Sequence, residues 1–233
     1  MMADHLHWSV IPKALPELAQ GLHITLEITM VALVVGFCLG TVLTLCRLSR
    51  SQWLSAGARA YVTAFRAVPL PVVLLGFFLV VPQVLGTLLH VSPSTDIRRV
   101  SAMVAFSLFE AAYYAEIVRA GVNSVPAGQR EAALALGMTP LQGMRLIVLP
   151  QALRAVLPLL LTQAIILFQD TSLVYVIGLG DFFTIASNVG ARDGTTVELV
   201  LFAGGCYFAV CTVMSGVVRR LWGRLGVAED GVL

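Results

Sequence analysis

Five apolar runs, each close to the length that a helix needs to cross a bilayer, dominate this 233-residue chain. The hydrocarbon core of a bilayer is about 30 Å thick and takes about 20 helical residues to cross. The runs predict spans near residues 24–45, 68–89, 100–121, 155–177 and 197–218. They are continuous rather than alternating, and a helix satisfies its own backbone hydrogen bonds in lipid. We therefore predict an all-α membrane protein with five transmembrane helices in a single domain, residues 1–233.

The composition excludes a soluble domain, because only 12% of the residues are charged and 58% are hydrophobic. Pro69, Pro71 and Pro82 lie in or beside the second span and should kink or shorten it. Before the first span, the stretch from Trp8 to Gln20 predicts a short helix on the outer surface, with the tryptophan at the membrane interface.

Positive charges are shared unevenly between the two sides of the predicted bundle. Four basic residues fall on one side, namely Lys13, Arg98, Arg99 and Arg192. The other 11 of the 15 fall on the opposite side: Arg47, Arg50, Arg59, Arg66, Arg119, Arg130, Arg145, Arg154, Arg219, Arg220 and Arg224. Because short cytoplasmic loops carry an excess of Lys and Arg, this bias predicts a periplasmic N-terminus and a cytoplasmic C-terminus.

The polar segment between the third and fourth spans, residues 122–153, predicts two short helices joined by a glycine turn. Good helix formers precede Gly137, which stands where a helix C-terminus takes a positive φ. Thr139, with Gln142 three residues later, predicts a capping box at the start of the second helix, and Pro150 should end that helix. The charge bias places this segment in the cytoplasm, where a partner can contact it.

The spacing within this segment resembles a known motif. Glu131-Ala132-Ala133 is followed by Gly137, then by Ile147 and Leu149-Pro150. This pattern matches, without a gap, the Glu-Ala-Ala loop of permeases of binding-protein-dependent ATP-binding-cassette (ABC) importers. In that family the loop forms a coupling helix that lies in a groove of the ATPase. The resemblance implies that Glu131, Ala132, Ala133 and Gly137 lie at the ATPase contact, whereas an ordinary amphipathic cytoplasmic helix is the alternative.

The resemblance covers nearly the whole chain and narrows the family. Residues 21–26, 65–70 and 109–121 resemble the polar amino acid permease subfamily, whose subunits have five spans and pair to form the pathway. Residues 167–175 and 190–195 resemble permeases of glutamate/aspartate importers. Many members of the subfamily carry a lysine ahead of the acidic or amide residue where this chain has Gln169, so no role that needs a positive charge there is carried over.

The resemblance implies a type I ABC importer permease fold in the bacterial inner membrane. The implied solute is glutamate or aspartate, with glutamine, histidine or arginine as alternatives. The implied partners are a second permease subunit, an ATPase dimer and a periplasmic amino acid binding protein.

Nucleotide chemistry is expected in another chain. A phosphate-binding loop needs the lysine of Gly-x-x-x-x-Gly-Lys-Ser/Thr, whereas the single lysine here, Lys13, follows Pro12. We therefore expect no cofactor in this chain, with ATP and Mg²⁺ bound by a separate ATPase. The four cysteines lack the spacing of a metal site, and no basic patch outside the cytoplasmic flanks indicates nucleic acid.

Polar side chains inside the predicted spans mark the candidate pathway, because such groups are costly in lipid and usually face a cavity or a partner. Six residues qualify: Glu110, Gln163, Gln169, Asp170, Thr171 and Ser172. Gln163 and Asp170 are seven residues apart and so share a helix face, with the two hydroxyls as further hydrogen-bond partners. Alternatively, Glu110 and Asp170 are structural, satisfied by hydrogen bonds between helices or by a basic residue of a second subunit.

Two carboxylates create a difficulty for an acidic solute, which Glu110 and Asp170 would repel unless they are protonated, paired or directed at its ammonium group. Two other functions also stay open on the residues alone. An ion-coupled secondary transporter would use these carboxylates as coupling sites and lose uptake when the ion gradient is dissipated. A membrane scaffold without a pathway would show no transport in vesicles.

Overall fold

The computed structural model describes residues 6–89 and 97–225, and within these ranges the chain is helical with no strand. The helices are α1 (Val10–Arg47), α2 (Gln52–Ala67), α3 (Leu70–Leu89), α4 (Arg98–Ser124), α5 (Ala127–Ala135), α6 (Pro140–Gly143), α7 (Leu149–Asp170), α8 (Phe182–Asp193) and α9 (Thr196–Leu225). A π-helical turn, Met144–Val148, joins α6 to α7, and a 3₁₀ segment, Thr171–Ile177, extends α7. The charge bias predicts the side of the membrane on which each chain end lies. Both ends include residues, 1–5 and 226–233, that lie outside those described.

Four helical stretches of the described chain are long and apolar enough to cross a membrane by themselves. They are Val10–Arg47, Arg98–Ser124, Pro140–Ile177 and Thr196–Gly223. A fifth span results if α2 and α3, which bend by 108° at their junction, are counted as one broken span. The all-α fold class with up to five spans is therefore confirmed.

The longest helix, α1, is continuous from Val10 to Arg47, so the prediction of a separate surface helix over Trp8 to Gln20 is wrong. Pro16 removes one backbone donor near the start of the helix without ending it. Val10, Ala14 and Leu18 pack against α8 and α9 in an apolar cluster, and this contact carries the helix beyond the predicted span.

The core of the bundle is the contact between α1 and α4. Gly36 lets the two helices approach closely, since a β-carbon there would lie 2.9 Å from the β-carbon of Glu110. About two turns farther along α1, the Thr44 hydroxyl donates to the carbonyl of Ala115 at 2.9 Å. We call the end of the bundle where α1 and α4 finish the loop end, and the end where α8 lies the opposite end.

The broken span differs from the predicted second span, because the helix α2 was not predicted. Ser55 donates to the Arg47 carbonyl at 3.0 Å, so α2 starts at the loop end. It then runs alongside α4 toward the opposite end, and the Tyr61 hydroxyl donates to the Leu108 carbonyl at 2.8 Å. Val68 is extended before Pro69, which separates α2 from α3, whereas Pro82 lies inside α3.

This path changes the position of Arg66, which the charge count placed at a cytoplasmic flank. Its guanidinium lies over the ring of Tyr113, 5.4 Å from the ring centroid, and Tyr113 is near the middle of α4. The assignment of Arg66 to the loop end is therefore wrong. The remaining basic residues still fall mainly at that end.

The fourth span is one helical run of changing pitch rather than a single α-helix. Pro150 does not end the preceding helix as predicted, because it lies in the first turn of α7, directly after the π turn, where the hydrogen-bond pattern of the run already changes. At the opposite end, the residues from Thr171 to Ile177 wind as 3₁₀ helix, and Gly178 ends the run with φ +64°. The helix α7 thus begins before the predicted span 155–177, and that span contains both α-helix and 3₁₀ helix.

The corner before α8 ties the opposite end together. Asp181 is buried and caps α8, accepting from the backbone N–H groups of Phe183 and Thr184 at 3.2 and 2.9 Å. Burial raises the pKa of Asp181, and these hydrogen bonds oppose the rise. The Phe182 N–H donates to the Thr25 hydroxyl on α1 at 3.1 Å. The end of the run that carries Asp170 is thereby anchored to α1.

Candidate functional site

The glycine turn of the loop has the geometry that its sequence predicts. Gly137 has φ +79°, which favours glycine, and follows the C-cap residue Leu136. The Met138 N–H donates to the Ala133 carbonyl at 3.1 Å, as in the Schellman motif that ends many helices. The predicted capping box is also present, with Thr139 and Gln142 exchanging side-chain and backbone hydrogen bonds.

The Glu-Ala-Ala residues divide between the surface and the interior of the loop. Glu131 and Ala132 are exposed, and Glu131 has no ion pair among the described residues. Ala133 is only 3% exposed and packs against Gly143, whose added β-carbon would lie 3.3 Å away. Ala133 therefore sets the spacing between α5 and α6, while Glu131 and Ala132 are free to meet another chain.

Large apolar side chains surround the glycine turn. Leu136 is 80% exposed and Leu141 is 74% exposed, although both lie in the segment that the charge bias places in water. Arg130 and Glu131 line a separate hollow of about 360 Å³ between the end of α4 and α5. Exposed leucines are typical of a protein contact surface.

An ion-pair cluster anchors the helices just above this loop. Glu116 pairs with Arg119 one turn along α4, as the three-residue spacing predicts, and also with Arg47 at the end of α1. The cluster joins α1 to α4 beside the start of α2.

Among the pathway candidates, Glu110 and Gln163 form one buried contact. Glu110 is 1% exposed on α4, and the Gln163 amide on α7 donates to both of its carboxylate oxygens at 3.2 Å. The contact bridges α4 and α7 beside Gly36 of α1. This geometry satisfies the carboxylate within the chain.

The other four candidates lie at the junction of α7 and the 3₁₀ segment. Gln169 is exposed and Asp170 is partly exposed at the last residue of α7. The hydroxyls of Thr171 and Ser172 donate to the backbone carbonyls of Phe168 and Gln169 at 2.7 and 2.8 Å. These hydroxyls are therefore occupied by the helix end, and Asp170 is the carboxylate that remains open to the surface.

The structure thus groups the candidates into a buried pair and an open pair. Gln163 and Asp170, which are seven residues apart on α7, are not joined by a hydrogen bond in the described structure. Sequence reasoning missed the position of Arg66 beside Tyr113, since it counted the residue among the loop charges. The stretch from Phe65 to Leu70 indicates only that a helix ends there, because a residue before proline tends to leave the helix, and it does not give the depth of Arg66.

No metal chemistry is indicated by the side chains of the described residues, among which no three metal-ligating groups cluster. The described cysteines are free, and Cys38 is exposed while Cys211 is buried.

Comparison with known proteins gives a family match over residues 11–226, to the family described as binding-protein-dependent transport system inner membrane component. The chain is 57% identical to the glutamate/aspartate import permease protein of Escherichia coli O6:H1 over 214 residues, 92% of this chain and 96% of that relative. It is 35% identical to the arginine transport system permease protein of Bacillus subtilis, over 95% of this chain and 98% of that relative.

The fold also matches a solved structure, that of an amino acid ABC transporter with histidines. The TM-score is 0.83 at 28% sequence identity, covering 94% of this chain and 99% of that one.

Proposed function

The chain belongs to the family of inner membrane components of binding-protein-dependent transport systems, and we propose that it forms the pathway by which an ABC importer takes up glutamate or aspartate. As a permease subunit for polar amino acids it is not itself an ATPase. The observation that carries the proposed solute is the 57% identity, over nearly the full length of both chains, to a permease named for glutamate/aspartate import. The lower identity of 35% to a permease named for arginine transport makes a basic amino acid the weaker candidate.

The proposed assembly contains a second permease subunit, an ATPase dimer that binds ATP and Mg²⁺, and a periplasmic binding protein for the amino acid. It lies in the bacterial inner membrane with the loop end in the cytoplasm. The bias of basic residues toward the loop end supports this orientation.

The proposed ATPase contact is centred on the glycine turn. Leu136 and Leu141 supply the apolar area, and Glu131 supplies a charge that can pair with a basic residue of the ATPase. Gly137 sets the angle between α5 and α6, and Ala133 acts from inside the loop by keeping these helices close. Movement of this surface would pass through the π turn into α7.

The proposed pathway uses Gln169 and Asp170, which are open to the surface at the end of α7. Asp170 is suited to the ammonium group that every amino acid carries. Glu110 and Gln163 hold α4 to α7, since their hydrogen bonds are made within the chain. The route itself opens and closes as the two permease subunits alternate between arrangements.

Vesicle uptake tests the solute and the energy source together. The chain is co-expressed with its partner permease and ATPase, reconstituted with ATP inside, and supplied outside with the loaded binding protein. We expect uptake of labelled glutamate and aspartate that exceeds uptake of arginine and histidine. Uptake should persist when ionophores dissipate ion gradients and should stop when ATP is replaced by a non-hydrolysable analogue.

Loss of uptake on adding ionophores, with ATP kept high, would instead support an ion-coupled transporter. A preference for arginine or histidine over glutamate would overturn the proposed solute but not the importer class.

A further inference from the structure

Arg66 occupies an unusual position, since it is an exposed arginine at the middle of the bundle. Its guanidinium lies 5.4 Å from the centroid of the Tyr113 ring. Tyr113 is 15 residues from the start of α4 and 11 residues from its end, about 22 Å and about 16 Å along the axis. Arg66 therefore lies along the length of α4 rather than at either of its ends.

The described part of the chain provides no carboxylate for Arg66. None of the ion pairs of this part includes Arg66, whose contact there is the cation–π contact with Tyr113. An arginine facing lipid at this depth is costly, so such residues face a cavity or a partner. The exposed guanidinium therefore requires a polar surrounding that the described residues do not supply.

The break between α2 and α3 explains how the side chain reaches this position. Arg66 lies in the last turn of α2, where the free carbonyls of the helix end favour a positive charge. Val68 then turns extended before Pro69, so the chain leaves α2 at the depth of Tyr113 instead of crossing the membrane as one straight helix.

The level of Arg66 is close to that of Glu110. Glu110 and Tyr113 are three residues apart on α4 and are therefore neighbours along that helix. Asp170 follows Gln163, the hydrogen-bond partner of Glu110, by seven residues, about two turns farther along α7. The guanidinium thus stands about one helical turn from the level of Glu110, with Asp170 farther toward the opposite end.

We propose that Arg66 binds a carboxylate of the amino acid during its passage through the permease. This inference rests on the proposed function, because an acidic amino acid is the solute that Glu110 and Asp170 alone would repel. A guanidinium presents parallel N–H donors that match the two oxygens of a carboxylate. Arg66 thereby supplies a positive charge that offsets the repulsion of an acidic solute by Glu110 and Asp170.

Neutralising the charge tests the proposal in the reconstituted complex. Arg66→Gln should lower glutamate uptake by roughly tenfold or more, the effect of losing one hydrogen bond to a charged group. Co-purification of the ATPase and the partner permease should stay normal. The matched control is Arg59→Gln, since Arg59 is also an exposed arginine of α2, two turns nearer the loop end, and should transport normally.

A charge-rescue experiment separates a role for the charge from a role in folding. Arg66→Cys is made in a background in which Cys38, Cys46, Cys206 and Cys211 are replaced by serine and which still transports. Reaction with a methanethiosulfonate carrying an ammonium group should restore part of the uptake. The sulfonate reagent should restore none.

Solute protection then distinguishes a bound amino acid from a carboxylate of the partner permease. Sodium glutamate should slow the labelling of Ala67→Cys, an exposed position beside an intact Arg66, in the solubilised complex relative to sodium chloride at equal ionic strength, and Arg66→Gln should abolish this protection. An unchanged labelling rate, equal rescue by both reagents, or uptake by Arg66→Gln within twofold of the unmodified chain would each overturn the proposal.

Glutamate uptake by the unmodified complex shows whether this inference alone or the proposed function itself has failed. If the unmodified complex takes up no glutamate with ATP, the proposed function is wrong and the Arg66 inference falls with it. If it does so and Arg66→Gln transports equally well, the inference alone is wrong.

Discussion

Gly137 shows how a single backbone angle can control a contact surface. Its φ of +79° costs a residue with a β-carbon about 1 to 2 kcal/mol, although nothing lies within 4 Å of the added atom. Gly137→Ala should therefore weaken ATPase co-purification and uptake, and Gly137→Asp should do so more strongly because it also adds charge. The five spans should still insert, since the turn lies outside them.

Gly128→Ala is the matched control for this prediction. Gly128 also has open space around it but sits in α5 with ordinary helical angles, so the change should leave co-purification and uptake unaffected. Normal ATPase binding and normal uptake by Gly137→Asp would refute the coupling assignment.

Asp170 and Glu110 should respond differently to the loss of charge. Asp170→Asn should reduce uptake by roughly tenfold or more without loss of assembly, since the amide keeps the shape but not the charge. Glu110→Gln should retain most uptake, because the amide can keep a hydrogen bond to Gln163 in the same buried place. Transport kinetics of the two variants, measured beside ATPase co-purification, check this difference. Equal kinetics for the unmodified chain and Asp170→Asn would remove Asp170 from the pathway.

At the scale of elements, a close helix–helix contact joins α1 to α4. An added β-carbon at Gly36 would meet the β-carbon of Glu110 at 2.9 Å, inside any normal contact distance. Gly36→Val should therefore force the helices apart and cost roughly 1 to 3 kcal/mol. We expect a lower melting temperature of the purified complex and less accumulated protein.

Gly57→Val tests whether this effect comes from packing or from helix propensity. Gly57 is also inside a helix, α2, but has nothing within 4 Å of the added atom. The same substitution there should leave the melting temperature nearly unchanged. A similar loss at both positions would show that the α1–α4 contact is not the cause.

At the scale of the whole molecule, the orientation of the chain across the inner membrane can be determined with an impermeant thiol reagent. The reagent is added to cells whose outer membrane is permeabilised. In the background without native cysteines, a cysteine at Ala191 of α8 should react from outside, because the charge bias puts the opposite end in the periplasm. A cysteine at Gly128 of α5, which is equally exposed, should react only after the inner membrane is opened. Labelling at Gly128 in intact cells would reverse the orientation.

Local patterns in the sequence predict the helical class, the turns and the helix caps of this protein, because these features depend on interactions between residues close in the chain. Apolar runs near 20 residues determine the helical membrane class, and the glycine turn and the Thr139 capping box follow from backbone geometry and short-range hydrogen bonds. The Glu116–Arg119 pair follows from helix spacing in the same way. The resemblance to permeases adds the family, which spacing alone does not supply.

The tertiary structure decided what depends on contacts between distant segments. The start of α1 is helical because it packs on α8 and α9, and Ala133 is buried because Gly143 approaches it. From the sequence, Arg66 is assigned to a cytoplasmic loop, but α2 packs alongside α4 and places Arg66 at the level of Tyr113. The depth of a side chain in a membrane is set by which helix its own helix packs against, and no local pattern contains that information.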